Sequence, residues 1–274
     1  MSRAGRILGV DPAAAIPGGE VAIDCTDFDT SDLSTCHALF AGARAHLVAA
    51  SNRRLLALVP EMAASGETEV TVESAGERSA SSRCLIAKKL AEDLHPVANP
   101  AFDPDDGSLY VTRSGSRGQH FPVTIFRIDA NGEVSDFSGD VTNPTGIAFD
   151  KSGQMFVTSR LDGTVYRVSP FNEPVSFAED LGIATGLAFD QEGWLYVGDR
   201  TGTIYRVNSI GEAEPFVLLE PSVSAYHLAF GPDDALYMTG PTVSSHDAVI
   251  RVDKRGRKSD FYRGLGRPQG LAFD

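Results

Sequence analysis

His227 and Asp199 are the two residues of this chain whose types best suit general acid–base work. A neutral imidazole takes up a proton near pH 7, and a carboxylate from a neighbouring segment can fix its orientation. A catalytic constellation also needs a group that meets the developing charge, and the sequence offers only the pair. We therefore read His227 as a hydrogen-bonded structural histidine, with catalysis by His227 and Asp199 as the alternative. Arg113, His120, Arg160, Arg200, Tyr226 and His246 surround the pair with polar and aromatic side chains. Together with Asp199 and His227 they form a set suited to holding a peptide, a glycan or a small acid. No serine lies in a Gly-x-Ser-x-Gly context, no Gly-x-x-x-x-Gly-Lys stretch cradles a phosphate, and the cysteines lack a paired His motif. Nucleophilic and nucleotide chemistry have no support.

Charge narrows the partners. Lys and Arg number 24 against 37 Asp and Glu, a net charge of −13, and no stretch gathers basic residues into a phosphate-neutralising patch. Nucleic acid is excluded as an expected partner, and the acidity reads chiefly as a solubility device. Nowhere do about 18 apolar residues run together, so no membrane insertion is expected. The N-terminal residues lack the apolar core of a secretory signal. The expectation is a cytoplasmic chain as written, or an extracytoplasmic one if the N-terminus is incomplete. Cys25, Cys36 and Cys84 are odd in number and lack metal-ligand spacing, which favours reduced, buried thiols.

The elements that must position these residues repeat. NPAFDPDDGSLYVTR, TGIAFDKSGQMFVTS, TGLAFDQEGWLYVGD, HLAFGPDDALYMTG and QGLAFD align on Phe102, Phe149, Phe189, Phe230 and Phe273, at intervals of 47, 40, 41 and 43 residues. A spacing of roughly 40 residues is that of a four-stranded propeller blade. A second echo places Arg127, Arg167, Arg206 and Arg251 at one position of each unit, as structural clamps paired to a carboxylate or carbonyl. Within the third unit, strands are expected at 186–189, 194–198, 203–207 and 214–218, separated by turn-forming Asp and Gly. No segment sustains the helical period, so the class is all-β. The recurrent aromatic residues read as sheet-to-sheet core rather than as a ligand cage. Asp103-Pro104-Asp105-Asp106-Gly107 has the look of a calcium loop but lacks its downstream glutamate, and reads as a hairpin turn.

Residues 99–274 resemble the NHL-repeat family and, beyond it, the gluconolactonase-like six-bladed propellers, most strongly at 144–168 and 185–207. That resemblance implies a six-bladed propeller, of which the chain holds four complete units and the start of a fifth; about 70 further residues would complete it at roughly 40 per repeat. Gluconolactonase-like enzymes hold a divalent cation with a Glu, an Asn and an Asp, the last two in Asn-Gly and Asp-Gly pairs where inner strands start. Here those places read Thr145-Gly146, Thr185-Gly186 and Gln269-Gly270, weak ligands for a hard cation.

Residues 6–87 lack the repeat and read as separate short strands, an immunoglobulin-like β-sandwich. Pro12, Pro17-Gly18-Gly19 before Val21 and Ile23, Phe28, Phe40-Ala41-Gly42, Val59-Pro60 and Gly66 before Val70 and Val72 resemble the IPT/TIG family. Cys25 stands where that family commonly has glycine. The resemblance implies a spacer or docking module, with residues 88–98 as a short linker to the propeller.

Two loops exceed the repeat, 114–122 and 241–247, and insertions in repeat proteins often map to the binding face. The expected function is a non-catalytic recognition or scaffolding protein that binds a protein, glycan or small-molecule ligand on the propeller face without a cofactor. The alternative is a lactonase or related hydrolase dependent on one divalent cation such as Ca or Zn.

Overall fold

Short runs of alternating apolar and polar residues become strands throughout the computed structural model, which divides into two units, Met1–Lys89 and Leu90–Asp274. The structure describes residues 5–273 except 89, 92–93, 95–96, 139, 170 and 245–246.

The first unit contains β1 (Arg6–Asp11), β2 (Ala14–Ala15), β3 (Glu20–Thr26), β4 (His37–Phe40), β5 (Ala43–Arg44), β6 (His46–Ala50), β7 (Arg54–Leu58), β8 (Gly66–Ser74), β9 (Glu77–Arg78) and β10 (Ser82–Ile86). One sheet runs β1-β3-β7-β6. The other runs β2-β10-β8-β4-β5, with β9 beside β8. Period-two alternation buries Val21, Ile23 and Cys25 of β3 on the same side, and Val70 and Val72 of β8 do likewise. These residues meet Leu55, Phe40, Cys84 and Ile86 in a core drawn from both sheets. All three cysteines are buried free thiols, and burial, helped by Cys36 and Asp24, pushes Cys25 up to about 11.

The second unit comprises four antiparallel four-stranded sheets in chain order, an all-β arrangement consistent with a β-propeller. They are β11 (Val97–Phe102), β12 (Leu109–Arg113), β13 (Ile125–Ile128) and β14 (Val134–Ser138); β15 (Pro144–Phe149), β16 (Met155–Ser159), β17 (Thr164–Val168) and β18 (Pro174–Ala178); β19 (Ala184–Phe189), β20 (Leu195–Asp199), β21 (Thr203–Val207) and β22 (Ala213–Leu218); and β23 (His227–Phe230), β24 (Leu236–Thr239), β25 (Val249–Val252) and β26 (Lys258–Tyr262). The first strands β11, β15, β19 and β23 adjoin one another in sequence, so each sheet leans on the next through its inner strand. β11 starts at Val97, two residues before the repeat read from the sequence.

Turn chemistry fixes these strand lengths. Asp150 Oδ1 accepts the amides of Ser152 and Gln154 at 2.8 and 3.0 Å, and Asp190 Oδ1 those of Glu192 and Trp194 at 2.8 and 2.9 Å. These side chains close the hairpins that join first to second strands. Residues 103–107 form the equivalent turn of the first sheet, with Asp103 Oδ1 accepting the Asp105 amide at 2.9 Å.

Aromatic rings join sheet to sheet. Tyr110 contacts Phe137 of its own sheet and Phe149 of the next, and Phe156 likewise touches Phe177 and Phe189. Tyr196 repeats this with Phe216 and Phe230, and Tyr237 with Phe261 and Phe273. Phe102, at the corresponding place on the first sheet, is exposed. The recurrent arginines act as clamps where a carboxylate stands near: Arg127 pairs with Asp106 at 2.7 Å, Arg251 with Asp233 at 2.7 Å, and Arg206 with Glu214. Arg167 has no such pair among the described residues.

Candidate functional site: an arginine face

Three successive sheets carry an arginine where their second strand ends. Arg113 closes β12, whereas Arg160 and Arg200 each stand one residue past the end of β16 and β20; the places equivalent to Arg113 in the other sheets hold Ser159, Asp199 and Gly240. Their surroundings differ from those of the clamp arginines. Arg160 donates to the Gly115 carbonyl, and Arg200 to the carbonyls of Ser222 at 3.2 Å and Val223 at 2.7 Å. Arg113 lies over the Phe121 ring, 4.1 Å from its centroid. Among the described residues none of the three meets a carboxylate.

Loop 114–122 folds over the second sheet and sets this geometry. Asn143, buried and held at φ 49°, accepts the Gly118 amide at 2.6 Å and donates to the Ser116 carbonyl at 3.0 Å. Arg117 reaches the Leu161 carbonyl at 3.4 Å from the same loop. Arg160 therefore sits close to Arg117 and Arg200. Burial first, and then those two positive charges, push its pKa down.

Four buried polar atoms in this neighbourhood lack a hydrogen-bond partner among the described residues: Asn99 Nδ2, Arg113 Nε, Ser114 Oγ and Arg160 Nε. Backbone continuity brings them together. Arg113 pairs with Val97 across β11 and β12, Asn99 lies in the irregularity between Ala98 and Ala101, and Arg160 grips the residue after Ser114. All four atoms can donate, and a buried unpaired donor costs free energy that an incoming acceptor recovers.

The remaining sequence-selected residues do not form one group. His120 is exposed, with Nδ1 3.3 Å from the Thr142 hydroxyl. Tyr226 is buried, donates its hydroxyl to the Glu220 carbonyl, and donates its amide to the Thr185 hydroxyl oxygen at 3.1 Å. His227 begins β23 opposite Thr239, half-buried, and burial pushes its pKa down. Asp199 is not its partner in any hydrogen bond. The buried Asp199 carboxylate instead accepts the Ile183 amide at 2.8 Å, the Thr201 amide at 3.0 Å and the Thr201 hydroxyl. It is consumed by turns of its own sheet. His246 lies outside the described residues.

A hard cation at the inner-strand starts does not fit the residues present. The Thr185 hydroxyl donates to the Gly198 carbonyl at 2.8 Å and accepts the Tyr226 amide, and Asn143 is engaged with loop 114–122. Among the described residues no three His, Cys, Asp or Glu side chains converge on one point. Neither Asn143 nor Arg117 stands out by type in the sequence; the Asn143-Pro144 step, a turn-initiating dipeptide, is the available signal for the first.

Comparison with known proteins bears on the fold. A family described as strictosidine synthase-like, N-terminal, matches residues 186–207, a small part of the chain. An auxiliary nutrient binding protein from Bacteroides thetaiotaomicron is similar in structure, with a TM-score of 0.50 at 18% identity over 99% of this chain and 72% of that one. A catalytically inactive virginiamycin B lyase from Staphylococcus aureus, solved with quinupristin, gives 0.48 at 14% identity over 93% and 68%. A candidate gluconolactonase gives 0.44 at 21% identity over 64% of each chain. At these identities the likeness concerns architecture alone. A search of curated protein sequences returns no significant match.

Proposed function

We propose that this chain is a recognition protein that binds an acidic small molecule or glycan on the arginine face of its second unit. The observation that carries this is three arginines at the second-strand ends of successive sheets, Arg113 as the last strand residue and Arg160 and Arg200 one residue past it, each held by carbonyls or a ring and none, among the described residues, by a carboxylate. Planar guanidinium groups suit carboxylate, sulfate and phosphate oxygens, and a low-dielectric setting strengthens that attraction. The unpartnered donors at Asn99, Arg113, Ser114 and Arg160 support the same sign of ligand. The nutrient-binding relative accords with a binding role.

We place the repeat with the NHL and gluconolactonase-like propellers, on the strength of its period and its four-stranded sheets. We assign the first unit to the immunoglobulin-like IPT/TIG type, acting as a spacer or docking module. Its two sheets around a shared core support that assignment.

Calorimetric titration with succinate, glucuronate and inorganic phosphate tests the function. At least one should bind the native chain, and Arg113→Gln should weaken it about tenfold, corresponding to roughly 1.4 kcal/mol. If the native chain takes up none of the three, or the variant binds as the native chain does, the arginine face is not the site.

A further inference from the structure

A cavity of about 340 Å³ opens between the third and fourth sheets; its lining includes none of Arg113, Arg160 and Arg200, and carries the carboxylates Glu220, Asp247 and Asp260 beside Lys258 and Arg263. Asp247 lines it and is only 7% exposed. Its Oδ1 accepts the Thr242 amide at 3.1 Å and the Thr242 hydroxyl at 2.6 Å, which fixes the carboxylate plane. Its Oδ2 is buried with no hydrogen-bond partner among the described residues. An ionised carboxylate oxygen left bare in a protein interior is costly unless a donor or a cation meets it.

The cavity's own cations are already engaged. Lys258 Nζ donates to the Leu218 carbonyl at 3.1 Å, and Arg263 pairs with Asp260 at 2.8 Å. Glu220 adds a second carboxylate to the lining, while Leu219, Ala248 and Ile250 supply aliphatic wall. A hard divalent cation wants about six to eight oxygen ligands, more than this lining converges on one point. A primary ammonium needs only about three acceptors, and it brings a methylene stem that the aliphatic wall can cover.

We infer that the Asp247 cavity binds a primary alkylammonium group, either a lysine side chain of a peptide or the end of a free aliphatic amine. The site stands independently of the arginine face and of the function assigned there. n-Butylammonium and Nα-acetyl-lysine N-methylamide, titrated against the full chain by ligand-observed NMR, separate the two sources. Tighter binding of the lysine derivative points to a peptide, and tighter binding of butylammonium to a free amine; each supports the site.

Asp247→Asn keeps the oxygen that holds Thr242 and replaces the bare one by an amide, and should weaken binding at least about tenfold. Arg113→Gln should leave amine binding unchanged. Neutral n-butanol, matched in length, should not compete, a readout on the native chain that does not depend on any variant folding. Saturable binding of neither amine, equal binding by Asp247→Asn, or effective competition by n-butanol would each overturn the assignment.

Discussion

The Thr158 hydroxyl of the second sheet donates to the Thr185 carbonyl on the inner strand of the third, and accepts the Gly146 amide at 2.8 Å. One side chain thus satisfies two buried backbone groups in two different sheets. Thr112 makes the corresponding bond to the Thr145 carbonyl at 3.2 Å. Thr158→Val keeps the shape and removes both bonds, so we expect a loss of about 1–3 kcal/mol in urea unfolding monitored by Trp194 fluorescence. An unchanged midpoint would show that these bonds contribute nothing net.

Gly186 is required by the approach of the next inner strand. A Cβ placed there would lie 2.2 Å from the Tyr226 carbonyl oxygen, a backbone atom that cannot swing aside. Gly186→Ala should therefore destabilise the second unit by roughly 3 kcal/mol, the upper part of the overpacking range. Gly193→Ala has open space around it but a positive φ, so its cost arises from backbone strain alone and should be smaller. Thermal unfolding of the two variants side by side distinguishes contact from strain.

Asp199→Ala separates the structural and catalytic roles of that carboxylate. Its loss strands the amides of Ile183 and Thr201 and the Thr201 hydroxyl, so the expected cost is roughly 3 kcal/mol. Asp199→Asn retains an acceptor oxygen and should recover part of it. A variant as stable as the native chain would contradict the turn-closing role.

His227 gives the protein a dependence on pH with a definite sign. Burial lowers its folded pKa below the ordinary histidine value of about 6.5, so the unfolded chain takes up the proton first as the solution is acidified. The stabilising contribution is present above about pH 6.5 and disappears as pH falls through the lower folded value. Between about pH 8 and about pH 5 the native chain should lose more stability than His227→Gln. Equal losses in urea titrations would place the imidazole in water.

The four-strand period is legible because Phe149, Phe189 and Phe230 recur at a spacing that packing dictates, and because Asp150 and Asp190 announce their turns. Expected strands in the third unit match β19 to β22 within two residues at each end. Arg127 and Arg251 clamp a hairpin aspartate and Arg206 an outer-strand glutamate, so three of the four recurrent arginines meet a carboxylate as expected, though not through one repeated contact. The sites are harder to read. His227 and Asp199 stand in adjacent units, yet the direction of Asp199 is set by Ile183 and Thr201, which lie within its own sheet. Asp247 carries no signal at all in one dimension, since its importance lies in a buried oxygen that accepts no hydrogen bond from the described residues.

The rings that join successive sheets also determine how the second unit would respond to force. Each second-strand aromatic, such as Tyr196 between Phe216 and Phe230, fastens its own sheet to the one that follows. No such ring skips a sheet among these contacts, so tension on the chain ends meets similar fastenings in series. Stretched in an optical trap, the unit should yield in discrete steps, each releasing a length of chain set by the 40- and 41-residue spacing of those phenylalanines.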